Sequence, residues 1–237
     1  MLFGSALMMA KGGTSLPWWR TDPAVYAAYP FGSFGTVDVV SNRPTTKTGT
    51  FSIDANGDLV ANSATTFAIS WPRLKTSTTP RTMAWWQKCS DNINNETGLV
   101  GTDGGSIYTT QYTTRCCPIA INNPIINCNL ANYNGYSSAT AVYGVSTNDI
   151  FRNWHHYAST TFCDGVNIVA RVYYDGLLRH TATFPSTTFY EDKTSFTFNH
   201  GRWTLTMYRR DIILVEKDFT AEEIAELYAV GKGNMWV

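Results

Sequence analysis

The sequence predicts an all-β protein: a two-sheet antiparallel jelly-roll sandwich with a short C-terminal helix and an N-terminal arm. Three observations carry this. Between Ile150 and Leu178, two β-rich runs are each closed by an Asp-Gly pair, Asp164-Gly165 and Asp175-Gly176. Asp-Gly supplies the positive φ that a tight hairpin turn needs. Thr, Ser, Asn, Tyr and Gly are abundant, and long helical periodicities are rare. The chain closes on a well-marked helix: Thr220 and Glu223 make a capping box, Ile224, Leu227 and Tyr228 share one face, and Gly231 suits the C-terminus.

The length of 237 residues suits one all-β sandwich or two small domains. The pattern divides into an arm at 1–22, a sandwich at 23–231 and a tail at 232–237. Charge is sparse and balanced, with 18 basic and 18 acidic residues. A nucleic-acid partner would need a basic face, so none is expected. No apolar run reaches the ~20 residues of a membrane span. The apolar start, Met1 to Ala10, lacks the basic opening of a secretory signal. The expectation is a chain made in the cytoplasm, kept intact, and carried on a virion or other extracellular particle; secretion is the alternative.

The elements read in order as follows. Within the arm, Gly12-Gly13 is a joint and Pro17-Trp18-Trp19-Arg20 an anchor. Adjacent tryptophans cannot both enter one small core, so they cap the sandwich edge or meet a partner chain, where Trp is favoured. With Leu2 and Phe3, Trp18 and Trp19 form the candidate assembly arm. Ala24 to Phe31 is a first strand, and Asn56-Gly57 turns the hairpin that follows Phe51. Thr65 to Trp71 and Thr82 to Lys88 are further strands. Asp91 to Tyr143 is crowded with turn signals and reads as short strands on long loops, at Gly98 to Val100, Ile119 to Ile121 and Thr140 to Val145. In the central run, Trp154, His156 and Ala158 share one face while His155, Tyr157 and Ser159 take the other. Trp203 to Tyr208 and Ile212 to Val215 are the last strands before the helix.

The run Trp154-His155-His156-Tyr157-Ala158, with Val172-Tyr173-Tyr174-Asp175-Gly176, resembles the central hairpin of laminin G-like domains in the concanavalin A-like lectin/glucanase superfamily. Ala24 to Phe31 resembles the opening strand of those domains, and the Thr220 to Tyr228 ending is similar to theirs. The resemblance covers roughly Ala24 to Gly231. It implies a concanavalin A-like sandwich and a binding module, with glycan as a ligand class. It also implies calcium at a sheet rim. Asp103, Asp149 and Asp164 are the candidate ligands by position, with Asp175 and Asp211 beside further turns. The family carries His-His as a strand signature, so His155 and His156 are read as structural.

Enzymatic chemistry has little support. The glucanase branch uses Glu-x-Asp-x-x-Glu, which is absent, and glycoside hydrolysis needs two facing carboxylates. No Gly-x-Ser-x-Gly is present. Asp54, Asn56 and Asp58 have calcium-loop spacing, but Leu59 and Thr65 stand where Gly and Glu belong, so this is a turn. Five cysteines leave at least one without an intrachain partner. Buried thiols and a Cys117–Cys128 loop disulfide are the two readings of the rest.

The expectation is therefore a non-enzymatic interaction module. The leading picture is a decoration or fibre component of a virus particle or other large assembly, with protein neighbours and glycan adhesion. A secreted lectin is the alternative and a glycoside hydrolase the disfavoured third. Trp85 and Trp86 point to opposite faces of their strand, so one enters the core and the other can line a sugar platform. They join Asp103, Tyr133 and Tyr136 of the rim loops as candidate ligand-binding residues.

Overall fold

The computed structural model describes residues 17–40, 46–48, 52–61, 66–70, 80–89, 114–119, 125–132, 135–140, 153–185, 195–199 and 206–236. Their strands are β1 (Val25–Tyr29), β2 (Thr46–Thr48), β3 (Ser52–Ile53), β4 (Leu59–Ala61), β5 (Thr66–Ser70), β6 (Arg81–Cys89), β7 (Thr114–Ile119), β8 (Ile125–Asn132), β9 (Gly135–Thr140), β10 (His155–Cys163), β11 (Asn167–Tyr174), β12 (Leu177–Pro185), β13 (Ser195–Asn199) and β14 (Met207–Val215). A single helical turn, α1 (Trp18–Thr21), precedes them, and α2 (Ala221–Val230) follows.

The chain is an all-β, antiparallel sandwich closed by one short C-terminal helix. Its main sheet runs β12-β11-β10-β6-β14-β4-β3, and β1 also pairs with β14. Among the described residues two further ladders form, β13-β5-β2 and β7-β8-β9. β8 lies against β11 and β12.

The Asp-Gly turns work as their chemistry requires. Asp175 and Gly176 have φ of 50° and 74°, and they join β11 to β12. At the other turn, the Asp164 carboxylate accepts the N–H groups of Val166 and Asn167 at 2.9 and 2.7 Å. The last two expected strands are one: β14 runs unbroken from Met207 to Val215. Arg210 pairs with Trp86 and Ile213 with Ala84, so Asp211 and Ile212 together face the single position of Trp85. This is a β-bulge, and Asp211 takes a φ of 51° within it. The middle of the chain also departs from expectation. β8 and β9 occupy Ile125–Asn132 and Gly135–Thr140, where the sequence reading placed loops.

The outer face of the main sheet is cut back to accept a helix. Ala28, Ala84 and Ala158 are buried, and their small side chains let α2 come close. Ile224 and Leu227 fill that space with Phe219, Tyr173, Ile213 and Val215. Full burial of each aliphatic side chain is worth roughly 1.5–3 kcal/mol. The capping box forms: Glu223 N–H donates to Thr220 Oγ1 at 3.2 Å, and Thr220 N–H donates to Glu223 Oε2 at 2.8 Å. The inner face carries Leu59, Met83, Trp85, Tyr157, Val172, Tyr174, Ile212 and Leu214, all buried. Trp85 stacks on Tyr157 at 5.9 Å, and Tyr174 meets Tyr157 edge-on at 5.3 Å.

The α1 turn and the residues that follow α2 dock on the outer face. Trp19 is buried in the same cluster as Met235, and its Nε1–H donates to the Met235 carbonyl at 3.3 Å. Trp18 meets Phe219 edge-on at 5.1 Å, and its indole N–H donates to Glu226. The two tryptophans thus contact their own sandwich, whose helix and tail supply the apolar surface and the acceptors. Leu2 and Phe3 lie outside the described residues.

Gly176 links the central turn to the helix. A Cβ there would stand 2.9 Å from Tyr228 Cδ1, at a φ of 74°. Gly165 has a φ of 97° and nothing within 4 Å of its would-be Cβ. Gly176→Ala should therefore lose roughly 1–3 kcal/mol of stability, more than Gly165→Ala, which bears backbone strain alone. Urea unfolding midpoints of the two variants check the difference; equal midpoints would show that Tyr228 is not held against the turn.

Candidate functional site

The sequence-predicted residues are placed as follows. Both Trp85 and Trp86 are buried, with exposures of 1% and 7%. Neither is a sugar platform. Trp85 lies in the inner aromatic row, and Trp86 is covered by the helix, with Tyr228 stacked on it at 5.6 Å. Asp103, Tyr133 and Asp149 lie outside the described residues, and Tyr136 lies on β9, where it pairs with Ala131. Asp164 is an exposed turn residue whose carboxylate is engaged by backbone N–H groups, which hold its pKa below the usual carboxylate range. Among the described residues, no three His, Cys, Asp or Glu side chains converge as a metal set. The β7–β8 register puts Cys128 opposite Cys116 and Asn127 opposite Cys117, so the straight cross-strand partner of Cys128 is Cys116. Cys163 is a free thiol.

The adjacent histidines divide between the faces of β10. His155 Nδ1 stands 2.7 Å from Asp175 Oδ2, and its ring stacks on Tyr174 at 4.7 Å. His156 packs between Trp86 and Tyr228, with centroids at 5.4 and 6.0 Å. Burial there pushes its pKa down to about 4, against a smaller opposing pull from Asp175. It is neutral at pH 7 and serves packing.

The structure brings together four residues that sequence reasoning missed. Lys88 ends the outer-face row of β6 and pairs across the ladder with Tyr208 of β14. Its ammonium lies 5.0 Å from the Tyr208 ring centroid and 5.4 Å from that of Trp154, just before β10. Lys232, just past α2, reaches over the same indole at 4.2 Å. All four side chains are half-buried. A period-2 reading held the signal: Lys88 lies two residues after Trp86 and Trp154 two before His156, so both belong to the helix-bearing face. Tyr208 and Lys232 had no local signal, since the bulge and the tail place them.

A buried ionic clamp fixes this cluster from below. Asp58, 2% exposed, accepts from Lys232 Nζ at 3.0 Å and from Arg210 Nη1 at 3.3 Å. Arg210 Nη1 also donates to the Asn56 carbonyl at 2.7 Å. Two glycines leave room for the guanidinium. A Cβ on Gly32 would stand 2.6 Å from Arg210 Nη2, and one on Gly57 would stand 2.5 Å from Gly32 Cα. Asp211 lies beside the clamp and accepts from Gly233 N–H. Burial raises its pKa to about 6, opposed by the Gly233 hydrogen bond and then by Arg210 and Lys232. With Asp58 engaged by two cations, the cluster offers ring faces and ammonium groups to a ligand.

No protein-family model matches the chain. No curated protein matches it in sequence. Its fold does match solved structures. The receptor-binding domain of botulinum neurotoxin D superposes with a TM-score of 0.68 at 14% identity, over 87% of this chain and 52% of that one. The botulinum neurotoxin serotype D ligand-binding domain in complex with N-acetylneuraminic acid gives 0.66 at 14%, over 89% and 54%. The botulinum neurotoxin DC binding domain in complex with rat synaptotagmin II gives 0.66 at 14%, over 87% and 51%. The chain thus spans about half the length of these structures, and the likeness is one of fold.

The two perturbed groups oppose each other in acid. His156 takes up a proton near pH 6.5 when unfolded but only near 4 when folded, so acid in that window favours unfolding. Asp211 takes up a proton near pH 6 when folded but only near 3.8 when unfolded, so acid favours folding. Between pH 6 and 4 the two nearly cancel. Asp211→Asn should unmask His156, with stability falling by up to about 1.4 kcal/mol per pH unit as the pH drops through that window. His156→Gln should show the reverse slope. Denaturant midpoints at several pH values check both; slopes matching the parent chain would contradict the assignment.

Proposed function

We propose that the chain is a non-enzymatic binding module of the laminin G-like, concanavalin A-like kind, and that its ligand is a glycan. The observation that carries this is the half-exposed pair of aromatic rings, Trp154 and Tyr208, held beside Lys88 and Lys232 at the end of the main sheet. An aromatic ring offers a flat apolar face to the C–H surface of a sugar, and nearby polar groups orient it. The fold agrees with a binding role, since the solved structures that share it are receptor- or ligand-binding domains, one of them in complex with N-acetylneuraminic acid.

Protein neighbours form a second part of the reading. Phe34, Val37 and Val40 are exposed within seven residues of one another, at 39%, 47% and 41%. A cluster of exposed apolar side chains supports a contact with another chain, as in a decoration or fibre protein of a particle. A secreted lectin is the alternative setting. Sedimentation of native source material separates them: co-migration with a large particle supports assembly, and a small soluble species supports the lectin.

The purified chain should bind a subset of glycans on an array, and Trp154→Ala should weaken that binding about tenfold or more with the thermal midpoint kept. Release of reducing sugar from any bound glycan would overturn the non-enzymatic reading.

A further inference from the structure

The charge at the proposed site is unevenly distributed. Arg210 and Lys232 both pair with the Asp58 carboxylate, and Asp211 stands next to that group. Lys88 differs. Among the described residues its ammonium has two aromatic rings and no carboxylate as neighbours. Cation–π contact leaves the ammonium's hydrogen-bond donors free. A half-buried cation held by rings, with its donors unused, is set up for an anion.

Resting on the glycan reading of this site, we infer that it selects an acidic saccharide, whose carboxylate or sulfate is taken by Lys88. The Lys88 ammonium stands 5.4 and 5.0 Å from the Trp154 and Tyr208 ring centroids, so an anionic substituent that meets it brings the sugar close to both rings. Lys232 stands over the same indole and adds positive potential while its ammonium stays paired with Asp58, which it shares with Arg210. The division of labour is specific: the rings bind any suitably shaped sugar, and Lys88 discriminates between charged and neutral ones. A charge-assisted hydrogen bond in a partly desolvated site is stronger than a neutral one, so its loss is expected to read as about a tenfold to hundredfold drop in affinity.

The experiment uses the full chain and matched glycan pairs: a sialylated oligosaccharide with its asialo form, a sulfated one with its unsulfated form, and a uronic-acid oligosaccharide with its hexose analogue. Titration calorimetry on each pair gives the discrimination. The expected result is tighter binding of the acidic member of at least one pair, weakened by salt. Lys88→Gln should abolish that preference, and Lys88→Arg should keep it. Which pair responds distinguishes carboxylate from sulfate. Equal binding of acidic and neutral members, or a preference that survives Lys88→Gln, overturns the inference while the glycan reading stands. No binding to either member of any pair, with the fold verified by circular dichroism, overturns both.

Discussion

The structure depends on β14 and the bulge within it. This strand is paired along one edge with β6 and along the other with β4 and then β1. One chain segment therefore satisfies the backbone groups of three neighbours, and any defect in it is felt across the sheet. The bulge at Asp211–Ile212 lets that happen. It adds a residue against Trp85, which turns the strand between its two partners on that edge. Just before it, ordinary strand alternation sends consecutive arginines to different faces. Arg209 goes to the buried inner face, where Nε donates to Gln87 at 2.9 Å, and Arg210 goes to Asp58.

The helix takes the other half of the outer face. Three alanines on β1, β6 and β10 make a shallow seat, and α2 covers it as far as Tyr228 and Trp86. Beyond that point the sheet continues for another pair of residues, Lys88 and Tyr208, with Trp154 beside them. The helix is too short to cover them. The tail that follows it supplies Lys232 but leaves the rings half-exposed. The proposed site is thus a consequence of where packing stops. The same aromatic row is core under the helix and surface just past its end.

Much of this architecture was legible in the residues. The Asp-Gly turns, the alternation of His155 and His156, and the Thr220–Glu223 capping box are local signals, and each appears in the structure as its local chemistry requires. The bulge was not legible: Met207 to Val215 reads as two strands because Arg-Arg-Asp interrupts the apolar pattern, and only the ladder to β6 shows that the strand continues. The ligand-facing role expected of Trp85 or Trp86 failed for a tertiary reason. Period-2 phasing says that they face opposite ways, but not that both faces are covered. The site residues are separated by long stretches of chain, and none stands in a motif. Lys88 and Trp154 become neighbours only through the β6–β10 register, and Lys232 arrives from the far end of the chain.

Electrostatics explains why the clamp and the open cation belong to one design. Asp58 is nearly fully buried, and a buried carboxylate without a partner would be strongly unfavourable. Two cations satisfy it, and they are anchored to different elements, β14 and the tail after α2. The clamp therefore ties the helix end to the sheet at the point where apolar packing gives out. It also fixes Lys232 over the indole while keeping that ammonium paired with a carboxylate. Among the described residues, Lys88 is left as a cation with aromatic company alone. A protein that needed only stability at this position would gain more from an apolar residue or from a matching acid. Keeping an ammonium between two half-exposed rings makes physical sense when the missing counter-charge arrives with a ligand.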